Sequence, residues 1–549
     1  MPLDTLVTGR IATLAGSTGF GWVEAIGLRD GRVAFAGSEV DLETRADPFT
    51  VRIRLEPDQV AIPGLTDAHL HLAQAAMAAG QVDLTAAATL DDGLRAIAAA
   101  HAALTEDRWL EGHGWDSDRW GRWPTADDLE RAAPGRRVAL WAHDHHALWA
   151  SHAALALGGF GADVGGDPAG GVVRRRPDGT PEGVLHEAAS RSVTVHVPPP
   201  TQDDLATAIV AVSRELVRLG VVACHDPGGV APDPDLTYSY PVYARLADAG
   251  DLAIRVHACM RDDAVASAIS RGYRSGAPLG EDPDGRARVG WQKCFADGSL
   301  GSRTAALLED IEAEPDRPLP PTQRRGVWMT DQTGLAALDA AAAAGGIATQ
   351  IHAIGDAAIR AALTVLESGG QGQPLMPRIE HVQMLHPTDR PRFVAAGIAA
   401  SVQPVHLGSD AVQARRLWGG RAEAEAYTWR SIAETGAVLA FGTDAPVEPI
   451  DPWPGLALAV RREDLRWPDG TAPFAPDESL GLDRALRAAC VDPAVSARER
   501  DRGRLTVGQR ADVVVIPAAA LDEPVIPGGA LATARPVLVL VDGQVAFEA

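Results

Sequence analysis

Two histidines separated by a single residue form the first pattern in this sequence that could do chemistry. The segment AIPGLTDAHLHL places Asp67, His69 and His71 at the end of an apolar run. Side chains two apart on a strand share a face, so both imidazoles can point at one ion. Two neutral imidazoles on a rigid strand suit zinc, although nickel, iron or manganese fit the same geometry. The pattern therefore predicts a transition-metal site.

Lys293 is the only lysine in the chain, and it ends a second apolar run in VGWQKCFADG. All other positions with a permanently cationic side chain hold arginine, so charge alone does not explain this lysine. A lysine amine can lose its proton, whereas a guanidinium keeps it. Beside a divalent cation the amine must be neutral or chemically changed. Two roles follow: a carbamylated bridging ligand, or a neutral amine acting as a base or Schiff-base nucleophile.

Three more strand-like runs end in side chains that can bind metals. They are QIHAIGD with His352, RIEHVQ with His381 and FGTDAP with Asp444. Together with the first two motifs, the histidines complete the donor set of a second metal. An aspartate touching both a metal and its water can accept a proton and pass it to a leaving nitrogen, so Asp444 is the predicted general base and acid.

The elements that must position these residues alternate along the chain. Between residues 61 and 499, short apolar runs follow helical segments rich in Ala, Leu and Arg, which predicts a parallel α/β fold. Catalytic residues of barrel enzymes lie at the carboxyl ends of the strands, where these motifs place them. We therefore predict a (β/α)8 TIM-like barrel.

The two ends of the chain and one internal region differ from this alternation. Residues 1–60 and 500–549 contain short strands and tight turns, among them Arg29-Asp30-Gly31 and a buried run at 513–516. We expect both termini to build one small β-sandwich domain. The region at about 78–205 is rich in Trp, Gly, Pro and Arg. It is predicted to be an insertion after the first barrel strand that covers the active site.

The ordered set HxH, Lys, His, His, Asp resembles the amidohydrolase superfamily. The motif sequences are most similar to those of its YtcJ-like branch, amidohydrolase family 3, which includes N-substituted formamide deformylases. The resemblance covers nearly the whole chain, from IPGLTDAHLHL through QKCFADGSLGSRTA to GQRADVVV. It implies that His69 and His71 bind the more buried metal, that N6-carboxylated Lys293 bridges, that His352 and His381 bind the second metal, and that Asp444 is ligand and base.

Further motifs supply candidates for substrate binding, each of which could equally be a structural loop contact. In DHHALW the spacing to Ala147 and Trp149 favours His146 over His145. The candidates are His113 and Trp115 in GHGWD, His146 in DHHALW, Asp297 and Arg303 after Lys293, and Gln403 and His406 in SVQPVH.

The predicted function is hydrolysis of a non-peptide carbon–nitrogen bond, in a linear amide such as an N-substituted formamide, by metal-activated hydroxide. One or two Zn²⁺ per chain are expected. Two alternatives remain: a metal-dependent deaminase or cyclic amide or urea hydrolase, and a Schiff-base lyase that uses Lys293 and survives chelators.

Composition excludes several other classes of partner. A formal charge of -23 without a basic stripe disfavours nucleic acid, and no run of about 18 apolar residues predicts a membrane span. The four cysteines are scattered and form no CxxC pair, and the first residues lack a signal-peptide pattern, so we expect a cytoplasmic enzyme. The expected partner is a small-molecule substrate, and a homodimer is a candidate assembly.

Overall fold

The computed structural model describes the chain except residues 1–2, 106–107, 144, 162–166, 169–170, 199, 229–232, 314–318, 320 and 370–371. The chain divides into two compact units. One contains Met1–Ala73 and Ile209–Ala549, and the other contains Gln74–Ala208.

Strands and helices follow one another along the described chain, with β7 to β12 and α3 to α6 in the second unit. The strands are β1 (Thr5–Ala12), β2 (Trp22–Arg29), β3 (Arg32–Gly37), β4 (Val51–Arg54), β5 (Gln59–Pro63), β6 (Leu65–Asp67), β7 (Val82–Asp83), β8 (Leu110–Trp115), β9 (Val138–Ala142), β10 (Ala147–Ala150), β11 (Gly171–Arg175), β12 (Pro181–Glu187), β13 (Val221–Asp226), β14 (Arg255–Arg261), β15 (Ala287–Phe295), β16 (Thr349–Ala353), β17 (Arg378–His381), β18 (Ala399–Val402), β19 (Leu439–Phe441), β20 (Val513–Pro517), β21 (Leu538–Val541) and β22 (Gln544–Glu548). The α-helices are α1 (Glu39–Glu43), α2 (Leu72–Ala78), α3 (Leu90–Ala103), α4 (Ala126–Ala132), α5 (His152–Leu157), α6 (Ala188–Thr194), α7 (Gln202–Arg218), α8 (Ser239–Asp248), α9 (Val265–Ser270), α10 (Gln332–Ala344), α11 (Asp356–Gly369), α12 (Arg392–Ala396), α13 (His406–Trp418), α14 (Ala422–Glu425), α15 (Trp429–Glu434), α16 (Pro452–Arg461), α17 (Leu482–Ser496) and α18 (Ala519–Asp522).

A parallel barrel forms the centre of the first unit. Its sheet runs β6, β13, β14, β15, β16, β17, β18 and β19, with each strand hydrogen-bonded to the next. Just beyond β6 and β19, the Ala68 N–H donates to Phe441 O at 2.8 Å and the Asp444 N–H donates to His69 O at 2.6 Å. These bonds join the first and last strands, and the predicted (β/α)8 fold is confirmed.

The barrel strands are buried because helices cover the sheet, as is usual for parallel strands. Both β13 (VVACHD) and β16 (TQIHA) are buried along their whole length. Helix α11 presents an apolar face with Ile359, Leu363 and Leu366 buried. The continuous apolar runs of the sequence are therefore strands buried on both faces.

Strands from both ends of the chain form a second sheet in the same unit. Its order is β22, β21, β20, β5, β1, β2, β3, and β4 also pairs with β1. The hairpin between β2 and β3 turns at Asp30 and Gly31 with φ of 51° and 71°, the left-handed pair that a type I′ turn requires. Antiparallel pairing of β20 with β5 joins the carboxyl-terminal strands to the amino-terminal ones.

The second unit has its own sheet and hydrophobic core. Its strands are ordered β11, β12, β10, β9, β8, β7. Trp115 and Trp149 are buried in this core, with ring centres 6.4 Å apart. Helix α4 begins with a capping box in which Thr125 and Asp128 bond reciprocally to the backbone. In the described part of the chain, no helix is both long and apolar enough to cross a membrane.

Candidate metal centre

Side chains that can bind metals converge where the barrel strands end. His69 and His71 follow β6, Asp444 follows β19, and His381 ends β17. Among the described residues, two groups of three have ligand atoms within 4.8 Å of one another: His69, His71 and Asp444, and His381, His406 and Asp444. Asp444 belongs to both groups and therefore lies at the middle of the cluster.

The backbone at two of these positions is left-handed. His381 has φ of 73° and Asp444 has φ of 62°, values that residues other than glycine rarely adopt. Such conformations persist only where surrounding contacts enforce them, and they concentrate at functional sites. The bond from the Asp444 N–H to His69 O, 2.6 Å long, is one such contact.

A buried carboxylate fixes the His69 ring. Glu380 Oε2 lies 2.6 Å from His69 Nδ1, and Arg378 Nε donates to Glu380 Oε1 at 2.9 Å. Burial, followed by the nearby Lys293, lowers the pKa of His69 to about 4, so the ring is neutral. With the Nδ1 hydrogen donated to Glu380, the basic Nε2 faces Asp444 Oδ1 at 3.4 Å.

The His71 ring is oriented in the same way. Its Nδ1 lies 2.6 Å from Gly228 O, and its Nε2 lies 3.4 Å from Asp444 Oδ1. Asp67 ties the ends of β6 and β19 together, because it accepts bonds from the His69 N–H at 3.1 Å and from Thr443 Oγ1 at 2.6 Å. Two rings therefore present Nε2 to one carboxylate oxygen.

Lys293 is enclosed beside this group. It is 1% exposed, and its Nζ lies 3.4 Å from His69 Nε2 and 5.1 Å from the centre of the Phe295 ring. Burial lowers the pKa of the Lys293 ammonium to about 8. The neutral amine is therefore accessible near neutral pH, as a ligand or a nucleophile requires.

The second group is built around His381. Its Nδ1 donates to Gln403 Oε1 at 2.9 Å, which leaves Nε2 as the basic nitrogen. Burial and the neighbouring His352 hold the pKa of His381 well below its usual value. The His352 ring centre lies 4.5 Å from that of His381, and its Nε2 donates to Gly298 O at 3.1 Å. His352 thus lies beside the cluster and is not a member of either group of three.

His406 approaches Asp444 from the start of α13. Its Nε2 lies 3.2 Å from Asp444 Oδ2, and its Nδ1 lies 3.6 Å from Glu448 Oε1. Burial alone would lower the pKa of His406, but the two carboxylates raise it to about 10. Burial alone would raise the pKa of Asp444, but His69 and His406 hold it well below its usual value. Asp444 is therefore ionised and can bind a cation.

The chain matches known proteins over most of its length. Residues 58–547 match the family model described as the amidohydrolase family. This chain belongs to the amidohydrolase family. It is therefore a hydrolase, as its motifs predict.

Curated relatives and solved structures agree with this assignment. The amidohydrolase is 30% identical over 531 residues to Protein LONG AFTER FAR-RED 3 of Arabidopsis thaliana, covering 95% of this chain and 88% of that protein. It is 28% identical to putative amidohydrolase YtcJ of Bacillus subtilis, covering 96% of each. An uncharacterized metal-dependent hydrolase from Pyrococcus horikoshii shares its fold, with a TM-score of 0.73 and 24% identity over 93% of this chain and 97% of that one.

The predicted substrate residues of the amidohydrolase have different surroundings. Asp297 accepts backbone N–H groups from Ala306, Ile354 and Gly355 at 2.8, 3.0 and 2.9 Å, so it organises the loops around His352. Arg303 is half-buried, has φ of 59° and donates to Gly301 O at 3.3 Å. Gln403 and His406 touch the cluster through His381 and Asp444.

The other three predicted substrate residues belong to the second unit. Trp115 is buried in that unit's core, and its indole N–H donates to Leu140 O at 2.8 Å. His113 is half-buried, and burial lowers its pKa. His146 directly precedes β10 and is half-buried. Their roles in substrate binding stay predictions.

Two buried charged residues next to the cluster received no role in the sequence analysis. Arg378 and Glu380 are fully buried, and Arg378 bonds to His225 Nδ1 at 2.7 Å and to Ala68 O at 2.8 Å. One signal was present: in RIEH the two charged residues are two apart on a buried strand, so they share a face. A charged pair inside an apolar strand is costly unless each member is satisfied.

Proposed function

We propose that this amidohydrolase uses divalent metal to hydrolyse the carbon–nitrogen bond of a linear amide, with an N-substituted formamide as the first substrate to test. The observation that carries the proposal is the cluster of two His/Asp groups that share Asp444 beside buried Lys293. A relative 25% identical over 539 residues, from Arthrobacter pascens, is named N-substituted formamide deformylase. The proposed substrate is a small molecule of that class.

The donor set fits one or two zinc ions. His69, His71 and His381 each direct Nδ1 at a protein acceptor, which leaves Nε2 of each ring as the nitrogen that can bind a metal. Ionised Asp444 adds oxygen donors within reach of both groups. Nitrogen and carboxylate ligands of this kind are those that zinc prefers. His352 would join as a ligand by turning Nδ1 to the cluster, because its Nε2 is engaged by Gly298 O.

We further propose that Lys293 is N6-carboxylated and bridges the two groups. Burial makes its amine available in the neutral form. The nitrogen then bonds to the carbon of carbon dioxide, one proton is released, and the product is an anionic carbamate. This change replaces an ammonium 3.4 Å from His69 Nε2 with a carboxylate, and so removes the repulsion between Lys293 and a cation.

Asp444 is the proposed general base and acid. A divalent cation at the cluster supplies a Lewis acid that polarises the amide carbonyl and acidifies water. Asp444, kept ionised by His69 and His406, accepts the proton as the water oxygen bonds to the carbonyl carbon. It then returns that proton to the nitrogen, the carbon–nitrogen bond breaks, and a carboxylic acid and an amine leave. His406 orients the carboxylate through its bond to Asp444 Oδ2.

The test is product analysis with the zinc-loaded enzyme on three substrate classes. N-alkyl and N-aryl formamides should release formate and the amine in equal amounts, and Asp444→Asn should abolish this release. Release of ammonia from an amino-substituted heterocycle, with no turnover of formamides, would instead establish a deaminase. Turnover that persists in the presence of chelators, together with a borohydride-reduced Schiff base at Lys293, would contradict the hydrolytic mechanism.

A further inference from the structure

A cavity of about 400 Å³ lies at the amino-terminal face of the barrel. Its wall includes Arg255, the first residue of β14, and Arg288, the second residue of β15. Lys293 follows Arg288 by five residues in the same strand, and at about 3.3 Å per residue the two are roughly 16 Å apart. The cavity is therefore separate from the metal centre, and hydrolysis assigns no role to it.

The wall of this cavity is positive although the chain as a whole is not. Five arginines and three carboxylates line it, in a chain with a formal charge of -23. Two of the carboxylates already have arginine partners outside the wall, Glu499 with Arg502 and Asp501 with Arg32. Three of the wall arginines are also paired, Arg255 with Asp512 and Asp542, Arg510 with Asp501 and Asp542, and Arg288 with Glu499. The positive charge open to a ligand is therefore that of the two remaining arginines.

Two arginines at the edge of the cavity are available to a ligand. Arg498 and Arg500 are exposed, and no side-chain ion pair is formed by either within the described chain. Arg498 also has φ of 54° just after helix α17, a position where glycine or asparagine is usual. An arginine occupies this position in spite of the left-handed backbone.

One buried side chain on the wall has unused hydrogen-bonding capacity. His257 is 2% exposed, and neither ring nitrogen has a hydrogen-bond partner among the described residues. The Glu499 Oε1 atom is 3.8 Å from Nε2, beyond hydrogen-bond distance. Arg255 Nε is likewise without an acceptor. Buried polar groups are normally satisfied, so the unused hydrogen-bonding capacity of His257 and of Arg255 Nε favours a ligand in the cavity.

We propose that this cavity binds a small molecule bearing an oxyanion, either a carboxylate or a phosphate. Arg498 and Arg500 neutralise its charge, and His257 and Arg255 Nε donate hydrogen bonds to it from the wall. Guanidinium groups match the geometry of both oxyanions. A volume of about 400 Å³ exceeds a single phosphate ion and lies in the range of metabolite sites.

The test is calorimetric titration of the zinc-loaded, full-length enzyme with inorganic phosphate and with succinate at constant ionic strength. The cavity variant is Arg498→Gln/Arg500→Gln. The control is Arg214→Gln/Arg271→Gln, which removes the same charge from exposed positions outside the cavity. We expect at least one probe to bind, about tenfold or more weakly in the cavity variant and unchanged in the control.

The two probes distinguish the sources of the oxyanion. Binding of phosphate alone identifies a phosphate or phosphate ester, and binding of succinate alone identifies a carboxylate. Unchanged binding in the cavity variant would overturn the proposal, because the anion would then occupy another site such as the metal centre. Equal weakening in both variants, or no binding of either probe at millimolar concentration, would overturn it as well.

Discussion

Glu380 determines which nitrogen of His69 is free to bind a metal. Its carboxylate accepts the Nδ1 hydrogen at 2.6 Å, and Arg378 in turn holds the carboxylate. Burial alone would raise the pKa of Glu380, but Arg378 and His69 keep it below its usual value, so the carboxylate is charged. Partners of this kind orient metal-binding histidines and make them more basic.

Removing the Glu380 charge should therefore weaken metal binding without touching a ligand. We expect Glu380→Gln to reduce zinc affinity by about 10- to 100-fold, as measured by competition with a chelating dye. Glu434→Gln, on the exposed face of α15, serves as the control and should leave affinity unchanged. Equal zinc affinity in Glu380→Gln and the wild type would show that Glu380 does not position His69.

The ends of the barrel strands explain why the site could be predicted only in part. The apolar runs at Lys293, His352, His381 and Asp444 were predictable because each contains one buried barrel strand, whereas the run before His69 contains both β5 and β6. The left-handed φ of His381 and Asp444 could not be predicted from the sequence, because it is enforced by contacts between distant segments. One such contact is the hydrogen bond between Asp444 and His69. Sequence spacing therefore gave the ligand candidates but not their grouping, and their roles stay predictions.

The chain just after β19 packs so closely against His69 that there is no room for a side chain at Gly442. A Cβ there would lie 2.5 Å from His69 N and 2.8 Å from His69 Cβ. We expect Gly442→Ala to push His69 away from Asp444, so that zinc content and activity both fall by about tenfold or more. Gly420→Ala meets nothing within 4 Å and should behave as the wild type. Full zinc content in a folded Gly442→Ala protein would contradict the tight packing of this strand end.

Helix α4 of the second unit offers a pH-dependent test. Burial alone would raise the pKa of Asp128, but bonds from Arg122 and Thr125 lower it from 3.8 to about 2. A lowered folded-state pKa stabilises the fold above pH 3.8, and this contribution is lost as pH falls through about 2.

Asp128→Asn removes that contribution wherever the wild-type carboxylate is ionised. Because the Asp128 side chain is only 2% exposed, we expect the variant to lower the local stability of α4 at pH 6 by about 2 kcal/mol. Hydrogen exchange of the α4 amides measures this loss. The difference from the wild type should shrink towards pH 2. A difference that is constant with pH would show that the charge of Asp128 is not responsible.

At the scale of the whole molecule, the barrel and the terminal sheet are tied together by buried ion pairs. Arg255 at the start of β14 donates to Asp512 Oδ2 at 2.9 Å and also contacts Asp542, and both carboxylates belong to the terminal segment. The alternation of strands and helices predicted the barrel, and paired turns predicted the terminal strands. These ion pairs were not predictable, because their members are more than 250 residues apart. The domain limits at 60, 78, 205 and 499 stay predictions.

Asp512→Asn tests this connection. It should lower the free energy of unfolding by about 2 kcal/mol in urea denaturation, because a buried charged hydrogen bond is weakened. Asp522→Asn breaks the exposed pair with Arg10 and should cost less than about 1 kcal/mol. Equal losses in the two variants would contradict the distinction between buried and exposed pairs.

The most direct test of a bridged metal centre is the metal content per chain of protein purified without chelator, in the wild type and in Lys293→Arg. The arginine keeps a cation but cannot be carboxylated. We predict close to two zinc ions per wild-type chain, a carbamate signal in ¹³C spectra after incubation with labelled bicarbonate, and a sharp fall in zinc for Lys293→Arg. Wild-type protein that holds no metal, and takes up none when zinc or manganese is added, would contradict the hydrolytic mechanism and favour Lys293 as a Schiff-base nucleophile.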